Sequence, residues 1–301
     1  MGLLTFDAFK RMTAEGAVAV EGKDLKRLQA CLLTILDDLA AVCREEGIVW
    51  TLGGGSVLGA VRHQGFIPWD DDLDVNMPRC EWRRFRAAFL ARFGEKYKIF
   101  EPGEPADYPL AFPRIRLRGT RVVTREDLLA PTVEPGAFVD VFMLENAFDS
   151  PLLRRVHGFG SLLLGFCYSC RKQFHERRLL RRWGVNGATF RFKRLIGLPL
   201  AVLPLGVWTR LWDRWNRLCG DDASRLVTFP VGRKHFFGEL APRAGLGETA
   251  VAEFEGRKVN IPKDAVAYMT RLYGPDYMTP PPESARERHV VFEPLVLPSP
   301  R

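Results

Sequence analysis

Four aspartates fall within five positions of the chain, in the run Asp-Asp-Asp-Leu-Asp from Asp70 to Asp74. Ile67, Pro68 and Trp69 come directly before it. Because carboxylates this close together repel one another, a positive partner is expected beside them. That partner is a metal ion, a group of arginines, or only the water around a charged turn. Most of what this sequence says about function depends on which of the three it is.

The spacing of the acidic run favours a metal site. On a strand, the side chains of Asp70, Asp72 and Asp74 point to one face and that of Asp71 to the other. Two carboxylates on one face are oxygen ligands of the kind that Mg²⁺ or Mn²⁺ prefers. A solvated acidic turn would explain Asp70 and Asp71. It explains Asp74 less well, because the following Val75 places that residue in a half-buried strand.

A third carboxylate lies in an apolar stretch further along the chain. Asp140 is the centre of Phe-Val-Asp-Val-Phe, residues 138–142. Burying an aspartate without a partner is costly, so one is expected. A metal ion shared with Asp72 and Asp74 would supply it. We therefore predict Asp72, Asp74 and Asp140 as metal ligands, with Mg²⁺ or Mn²⁺ as the cofactor.

A turn of small residues, Gly53 to Ser56, precedes the acidic run. The backbone N–H groups of such a turn can bind a phosphate at the positive end of a helix. A helix start capped by Ser56 would explain the same residues without a ligand. The spacing fits neither the dinucleotide-binding fingerprint nor the P-loop. Arg62 either donates to a phosphate or lies on the surface of the helix.

The elements that must position these residues alternate between helix and strand. Apolar spacing predicts a helix over residues 25–43 that Gly47 ends, and another over 78–93 that Gly94 ends. Residues 48–52, the end of the acidic run and residues 136–144 predict strands. Residues 111–126 predict a hairpin that turns near Gly119. The C-terminal part predicts a short helix followed by a proline-rich segment. The fold class is therefore α/β (α+β).

The net charge of +8 is distributed unevenly. Residues 151–220 hold fourteen Lys and Arg and two Asp and Glu, a net +12, so the rest carries 8 − 12 = −4. We interpret this segment as a basic helical lobe that packs on the core and contacts an anionic membrane surface, since its basic charge is interleaved with Trp183, Trp208, Trp212 and Trp215. Its apolar run, residues 195–208, is too short to span a bilayer and contains two interior prolines. Nucleic-acid binding is disfavoured, because no recognised module is present.

Cysteine usage and the N-terminus favour a cytoplasmic location. Of six cysteines, only Cys167 and Cys170 form a Cys-x-x-Cys, and no second pair stands at zinc-site spacing. Their apolar, helical context favours reduced cysteines that pack. Residues 1–12 lack the pattern of a secretory signal. We expect a cytoplasmic protein that is peripheral on the inner face of the membrane.

The segment LGGGSVLGAVRHQGFIPWDDDLDVNMPR, residues 52–79, resembles the LicD family and its fukutin-like relatives. The shared features are the Gly-Ser turn, an Arg-His pair, Ile-Pro-Trp and the acidic run. The resemblance continues at GAFVDVFMLEN, FEGRKVNIP and LYGPDYMTPPPESARERH, so it covers residues from about 50 to 290. Glu145 departs from it, since the family is expected to favour aspartate there.

The resemblance implies a nucleotidyltransferase-like mixed sheet with helices and a metal-dependent phosphotransferase. Such an enzyme moves a phospho-alcohol from a CDP-alcohol donor, usually phosphocholine from CDP-choline. Its acceptor is a hydroxyl of a cell-surface or lipid-linked glycan such as lipopolysaccharide or teichoic acid. We predict a catalytic core over residues 1–150, the basic lobe over 151–220, and a C-terminal segment, 221–301, that packs back on the core.

The resemblance and the chemistry of the transfer together suggest roles for individual residues. Donor phosphate would be held by Gly54, Gly55, Ser56 and Arg62. The acceptor hydroxyl needs a general base, and Asp70 or Asp140 is placed to serve. Arg286 and His289 are further candidates for lining the site. Two alternatives stay open: nucleotidyl transfer with release of pyrophosphate, and a catalytically silent, membrane-associated scaffold.

Overall fold

The computed structural model describes residues 16–185, 187–283, 286 and 290–298. In chain order the strands are β1 (Val18–Ala19), β2 (Thr51–Leu52), β3 (Asp74–Pro78), β4 (Tyr97–Phe100), β5 (Arg114–Leu117), β6 (Phe138–Ala147), β7 (Leu226–Thr228), β8 (Ala241–Pro242), β9 (Thr249–Phe254), β10 (Arg257–Pro262) and β11 (Val290–Val291). The helices are α1 (Gly22–Glu46), α2 (Gly54–His63), α3 (Arg79–Phe93), α4 (Pro151–His175), α5 (Arg177–Arg182), α6 (Ala188–Leu200), α7 (Leu205–Asn216), α8 (His235–Gly238), α9 (Arg243–Leu246) and α10 (Ala265–Tyr273).

A mixed sheet forms the centre of the fold, with the strand order β2-β3-β6-β5-β4. The β7 strand pairs with the end of β6, and β8 pairs with β7. The β3 and β6 strands run parallel, whereas β2–β3, β4–β5 and β5–β6 are antiparallel. Asp74 pairs with Asp140, and Asp140 pairs with Arg114 on its other side. These three residues therefore form one row across the sheet, and the predicted α+β fold is confirmed.

Helix α1 packs its apolar stripe into the main core. Leu32, Ile35 and Leu39 have an exposed fraction of 1% or less. Fully burying such a side chain contributes about 1.5–3 kcal/mol to the free energy of unfolding. Gly47 ends the helix in the left-handed conformation, at φ 63°, and its N–H donates to the carbonyl of Cys43. The prediction of this helix and of its end is confirmed.

Two predictions of local structure were wrong. The β3 strand begins only at Asp74, so residues 70–73 are not part of it. The turn after β5 does pass through Gly119, at φ 72°, but the chain beyond it does not return along β5. The partners of β5 are β4 and β6, and Arg121 instead bridges to Val296 near the C-terminus. The hairpin was wrong because both partners of β5 come from elsewhere in the chain.

Residues 151–216 form the lobe of helices α4 to α7. Helix α7 lies so close to α4 that glycine is required at the contact. A Cβ on Gly160 would lie 2.1 Å from a ring carbon of Trp215, and one on Gly165 would lie 2.7 Å from a ring carbon of Trp212. No single described helix is long and apolar enough to cross a membrane, whereas α6 and α7 meet that criterion only as a pair bent by 93°.

The indole rings of the four tryptophans in the lobe form hydrogen bonds or ring contacts with other residues of the protein. The indole N–H groups of Trp212 and Trp215 donate to Ser161 Oγ at 3.1 Å and to the carbonyl of His157 at 2.8 Å. The indole of Trp208 donates to the carbonyl of Leu200 at 3.1 Å, and Trp183 stacks on Phe292 with ring centroids 5.0 Å apart. These four side chains are thus engaged within the protein, and the contact of the lobe with an anionic membrane stays a prediction.

The two cysteines of the Cys-x-x-Cys have free thiols within α4. Cys170 is buried and Cys167 is half-buried. Burial raises the pKa of Cys170 to about 11, and it raises that of Cys167 as well. Both thiols are therefore held in the protonated form at neutral pH, as expected of cysteines that pack.

The C-terminal segment returns to the sheet and to α2. The β9–β10 hairpin packs against α2 and β2, and Phe66 contacts Phe254 with ring centroids 4.9 Å apart. The β1–β11 pair joins the two ends of the described chain. Helix α10 lies beside α2. The segment thus brings aromatic side chains of α10 to the start of α2, where the acidic run also lies.

Candidate active site

The acidic run packs against the first turn of α2. Gly54 adopts a φ of 41°, which side chains with a Cβ rarely adopt. A Cβ there would lie 2.8 Å from Asp74 Oδ2, and one on Gly55 would lie 3.2 Å from Asp70 Oδ2. Both carboxylates therefore approach the positive end of the helix, which stabilises negative charge. The partial positive charge of this helix start therefore offsets part of the repulsion within the acidic run.

Hydrogen bonds join the start of α2 to β3. The N–H of Gly53 donates to the carbonyl of Asp74 at 2.8 Å, and the N–H of Asp74 donates to Ser56 Oγ at 2.9 Å. The N–H of Gly54 donates to the Tyr268 hydroxyl at 3.3 Å. Ser56 is buried, so its hydroxyl fixes the helix to the strand. The role of Gly54, Gly55 and Ser56 in binding phosphate stays a prediction.

An arginine is the partner of Asp140. Arg114 donates from Nε to Oδ1 at 2.6 Å and from Nη2 to Oδ2 at 2.8 Å, and both side chains are buried. The guanidinium also lies 3.5 Å from the ring centroid of Phe138. Burial acts to lower the pKa of Arg114, but the Asp140 carboxylate raises it above its usual value. For Asp140, the positive partner that the sequence calls for is thus present within the protein.

The donor set of the acidic run suits a hard cation. Asp72 and Asp74 are half-buried carboxylates, and Asp74 stands at the edge of the site beside α2. Asp140 fits less well as it stands, because both of its oxygens accept from Arg114. Within the described part of the chain, no three His, Cys, Asp or Glu side chains form a group that could hold a metal ion. The assignment of Asp72, Asp74 and Asp140 as metal ligands stays a prediction.

Two tyrosines of α10 complete the site, and sequence reasoning missed both. Tyr268 accepts from Gly54, and a Cβ on Gly55 would lie 3.9 Å from the Tyr273 hydroxyl. Burial raises the pKa of Tyr273 well above its usual value, and the neighbouring Tyr268 and the charge of Asp74 add to it. Tyr273 lies in the run Leu-Tyr-Gly-Pro-Asp-Tyr, which carried part of the resemblance but had been given no role.

Three arginines lie around these carboxylates and tyrosines. Arg62 donates from Nη1 to the carbonyl of Tyr277 at 2.8 Å. Burial lowers the pKa of Arg62, while nearby Tyr273 and Asp70 act in the opposite direction. The Arg233 guanidinium lies 5.5 Å from the ring centroid of Tyr273. Positive charge for a phosphate is therefore available beside the acidic run.

The third arginine, Arg286, lies 4.1 Å from the ring centroid of Trp69, the residue directly before Asp70. It thus lies next to the acidic run, where the sequence analysis had placed it as a candidate. His289, the other C-terminal candidate, lies outside the described residues.

Glu145, the departure from the expected family pattern, is buried at the contact with the lobe. Arg79 donates from Nε to Glu145 Oε1 at 2.9 Å and pairs with Asp213 at 2.8 Å. Asp213 in turn pairs with Arg217 at 2.6 Å. Burial raises the pKa of Glu145, although the charge of Arg79 opposes this. The glutamate therefore links β6 to α7 and does not belong to the acidic run.

Comparison with known proteins finds related sequences that include the residues of this site. Residues 47–102, which contain α2, the acidic run and α3, match the family model described as LicD/FKTN/FKRP, nucleotidyltransferase domain. The chain is 26% identical to the lipopolysaccharide cholinephosphotransferase LicD of Haemophilus influenzae, in an alignment that covers 91% of this chain and 98% of that protein. The chain is therefore similar to LicD-family proteins, through the family model at α2, the acidic run and α3 and through the Haemophilus protein over nearly its whole length.

Two further matches are confined to a short stretch. Uncharacterized proteins of Rickettsia prowazekii and Rickettsia typhi are each 41% identical to the chain over 46 residues. That stretch is 15% of this chain, 17% of the first protein and 15% of the second. The match to Haemophilus LicD, in contrast, extends through the basic lobe and the C-terminal segment.

Proposed function

We propose that this LicD-like phosphotransferase moves phosphocholine from CDP-choline onto a hydroxyl of lipopolysaccharide. The observation that carries the proposal is the approach of the Asp70 and Asp74 carboxylates to the first turn of α2. It creates a site that is acidic enough for a divalent cation and that borders on arginines suited to phosphate. The likeness to the Haemophilus protein over nearly the whole chain supports the choice of phosphocholine and of lipopolysaccharide.

The CDP-choline donor would bind at the start of α2 and at Arg62 and Arg233. A helix that begins at Gly54 leaves the N–H groups of its first turn without intrahelical acceptors, which suits an anion. Arg233 and Arg62 lie next to Tyr273 and can neutralise a pyrophosphate. Tyr268 is buried and Tyr273 is half-buried, so the two rings limit the access of water from this side of the site.

A divalent cation would be held by Asp72 and Asp74. When bound, Mg²⁺ or Mn²⁺ would neutralise charge on the transferred phosphoryl group and on the departing CMP. The acceptor hydroxyl must lose a proton to the protein. Asp70 is the better candidate for this base, because the oxygens of Asp140 already accept from Arg114. Asp140 would then act in the site as the fixed central member of the Asp74–Asp140–Arg114 row.

A product screen separates this reaction from its alternative. Purified protein is incubated with Mg²⁺, lipopolysaccharide and, in parallel, a panel of CDP-alcohols or nucleoside triphosphates, and the products are identified by mass spectrometry. The proposal expects CMP from CDP-choline and no pyrophosphate from any triphosphate. Pyrophosphate release would identify a nucleotidyltransferase. Turnover of none of the donors, in a protein that binds Mn²⁺, would leave the silent scaffold as the explanation.

A further inference from the structure

The basic lobe carries an apolar face that the rest of the chain leaves uncovered. On α4, exposed apolar residues recur at intervals of four, three and four: Leu152, Val156, Phe159 and Leu163. This spacing places them along one side of the helix. The opposite side carries the buried residues His157 and Ser161. The exposed side is therefore a continuous apolar stripe.

Helix α6 extends this stripe. The same side of α4 continues to Cys170, seven residues after Leu163, and there Gly197 of α6 lies against it. A Cβ on Gly197 would be 2.3 Å from the Cys170 carbonyl oxygen. The outer side of α6 and the turn after it then expose Leu195 and Val202, which are 69% and 85% accessible.

We define the apolar face as Leu152, Val156, Phe159, Leu163, Leu195 and Val202. A cluster of exposed apolar side chains with charged residues beside it is typical of a binding surface.

The charges around the apolar face have one sign. The lobe has only two acidic residues, and neither is available to solvent as a free charge. Glu176 is buried, and Asp213 is held between Arg79 and Arg217. Arg155 and Arg191, next to the face in sequence, are exposed and take part in none of the ion pairs found among the described residues.

We propose that the apolar face docks on an anionic phospholipid bilayer, with the apolar side chains in the interface and the arginines on lipid phosphates. A second copy of the chain is a poorer occupant, because it would bring two rims of positive charge together. The tryptophans are not the anchors, since their rings are packed within the lobe or on Phe292.

The apolar face is connected to the candidate active site through Phe237 and Arg233. Phe159 contacts Phe237 with ring centroids 5.3 Å apart. Phe237 is itself partly exposed and follows Arg233 by four residues, and Arg233 lies over Tyr273 at the candidate active site. One short segment therefore connects the membrane-docking face to the site. If the proposed function holds, docking brings the site to a glycan whose lipid end lies in the same bilayer.

The test is vesicle co-sedimentation of the full chain, with vesicles of phosphatidylglycerol and phosphatidylethanolamine compared with vesicles of phosphatidylcholine. We expect binding to the anionic vesicles only, weakening as salt rises. The double variant Leu195→Gln/Val202→Gln should bind the anionic vesicles at least about tenfold more weakly, because it removes two apolar side chains from the interface. Arg155→Gln/Arg191→Gln should weaken binding at low salt more than at high salt.

The matched control is Val251→Gln/Val266→Gln, which alters apolar residues that are 68% and 64% exposed but lie outside the lobe. It should bind like the unaltered protein, and thermal melts confirm that each variant is folded. The proposal is overturned if anionic vesicles are not bound at low salt, or if control and lobe variants lose binding equally. It is also overturned if the lobe variants change only a dimer seen by light scattering. Because binding needs no turnover, this result is independent of the proposed transfer reaction.

Discussion

Arg114 holds both oxygens of the Asp140 carboxylate, at 2.6 and 2.8 Å, in the same cross-strand row as Asp74. A buried acid at this place was expected to need a metal ion. In the structure its charge is balanced by an arginine one strand away. Arginine is therefore the partner of Asp140, whereas a metal ion at Asp72 and Asp74 stays a prediction.

Removing Arg114 should destabilise the protein strongly. Arg114→Leu leaves the buried Asp140 charge unpaired, so the free energy of unfolding should fall by about 3–5 kcal/mol in chemical denaturation. Adding Asp140→Asn to that variant removes the charge and should restore part of the loss. If the double variant is less stable than Arg114→Leu alone, the two side chains are not coupled as described.

The cation is predicted to depend on Asp72 and Asp74. Asp72→Asn and Asp74→Asn should abolish Mn²⁺ binding measured by calorimetry, and with it CMP release, while the fold survives. Because each change relieves repulsion within the acidic run, both variants should be as stable as the metal-free protein or more so. Asp24→Asn, an exposed acid on α1, is the control. Normal turnover by Asp74→Asn would refute the metal assignment.

The same titration decides the role of Asp140. If its function is to pair with Arg114, Asp140→Asn should bind Mn²⁺ with nearly unchanged affinity. If Asp140 is instead the predicted third metal ligand, Asp140→Asn should lose Mn²⁺ affinity, as Asp72→Asn and Asp74→Asn are expected to do.

Bulk at Gly55 is predicted to block the donor. A Cβ at this position already lies 3.2 Å from Asp70 Oδ2, so the branches of Gly55→Val would enter the space in front of the first turn of α2. CDP-choline binding should be lost in calorimetry, while Mn²⁺ binding remains. Gly220→Val is the matched control, since nothing lies within 4 Å of a Cβ there. Unchanged donor affinity in Gly55→Val would place the pyrophosphate elsewhere.

Glu239 should make stability depend on pH. Burial raises its pKa from 4.5 to about 7, although its carboxylate accepts from the N–H of Lys234 at 2.9 Å. Because the folded state holds this proton more tightly than the unfolded state, the stabilisation is complete below pH 4.5 and is lost as the pH rises through 7.

Glu239→Gln removes this dependence. Relative to the unaltered protein, its free energy of unfolding should rise between pH 5 and pH 8 by on the order of 1–3 kcal/mol. Denaturation curves at the two pH values measure the difference. A difference that stays constant between them would show that Glu239 titrates normally.

Local patterns in the sequence predicted the elements well. The apolar residues of α1 recur with helical spacing, and the glycine after them marks the end of the helix. The apolar run around Asp140 predicts β6. The start of α2 and the acidic run were placed together because few residues separate them. What the sequence could not predict was contact between distant residues. Arg114 is 26 positions from Asp140, and nothing in either local pattern pairs them.

The lobe illustrates the same limit. Its tryptophans suggested a membrane interface because composition does not reveal which face of a helix a neighbour covers. The glycines at Gly160 and Gly165 were the missed signal, since they make room on α4 for two indole rings. The exposed stripe from Leu152 to Leu163 has helical spacing that the sequence already contained. Only the packing of α4 against α6 and α7 distinguishes the covered residues from the exposed ones.

The most direct test of the account follows the phosphorus atom. Protein, Mg²⁺, lipopolysaccharide and CDP-choline labelled in its choline-linked phosphate are incubated, and label is measured in lipopolysaccharide, CMP and free phosphocholine. The account predicts that lipopolysaccharide gains one labelled phosphocholine for each CMP released, and that Asp74→Asn produces neither. Label released as free phosphocholine while CMP becomes joined to lipopolysaccharide, or transfer that continues in Asp74→Asn, would contradict it.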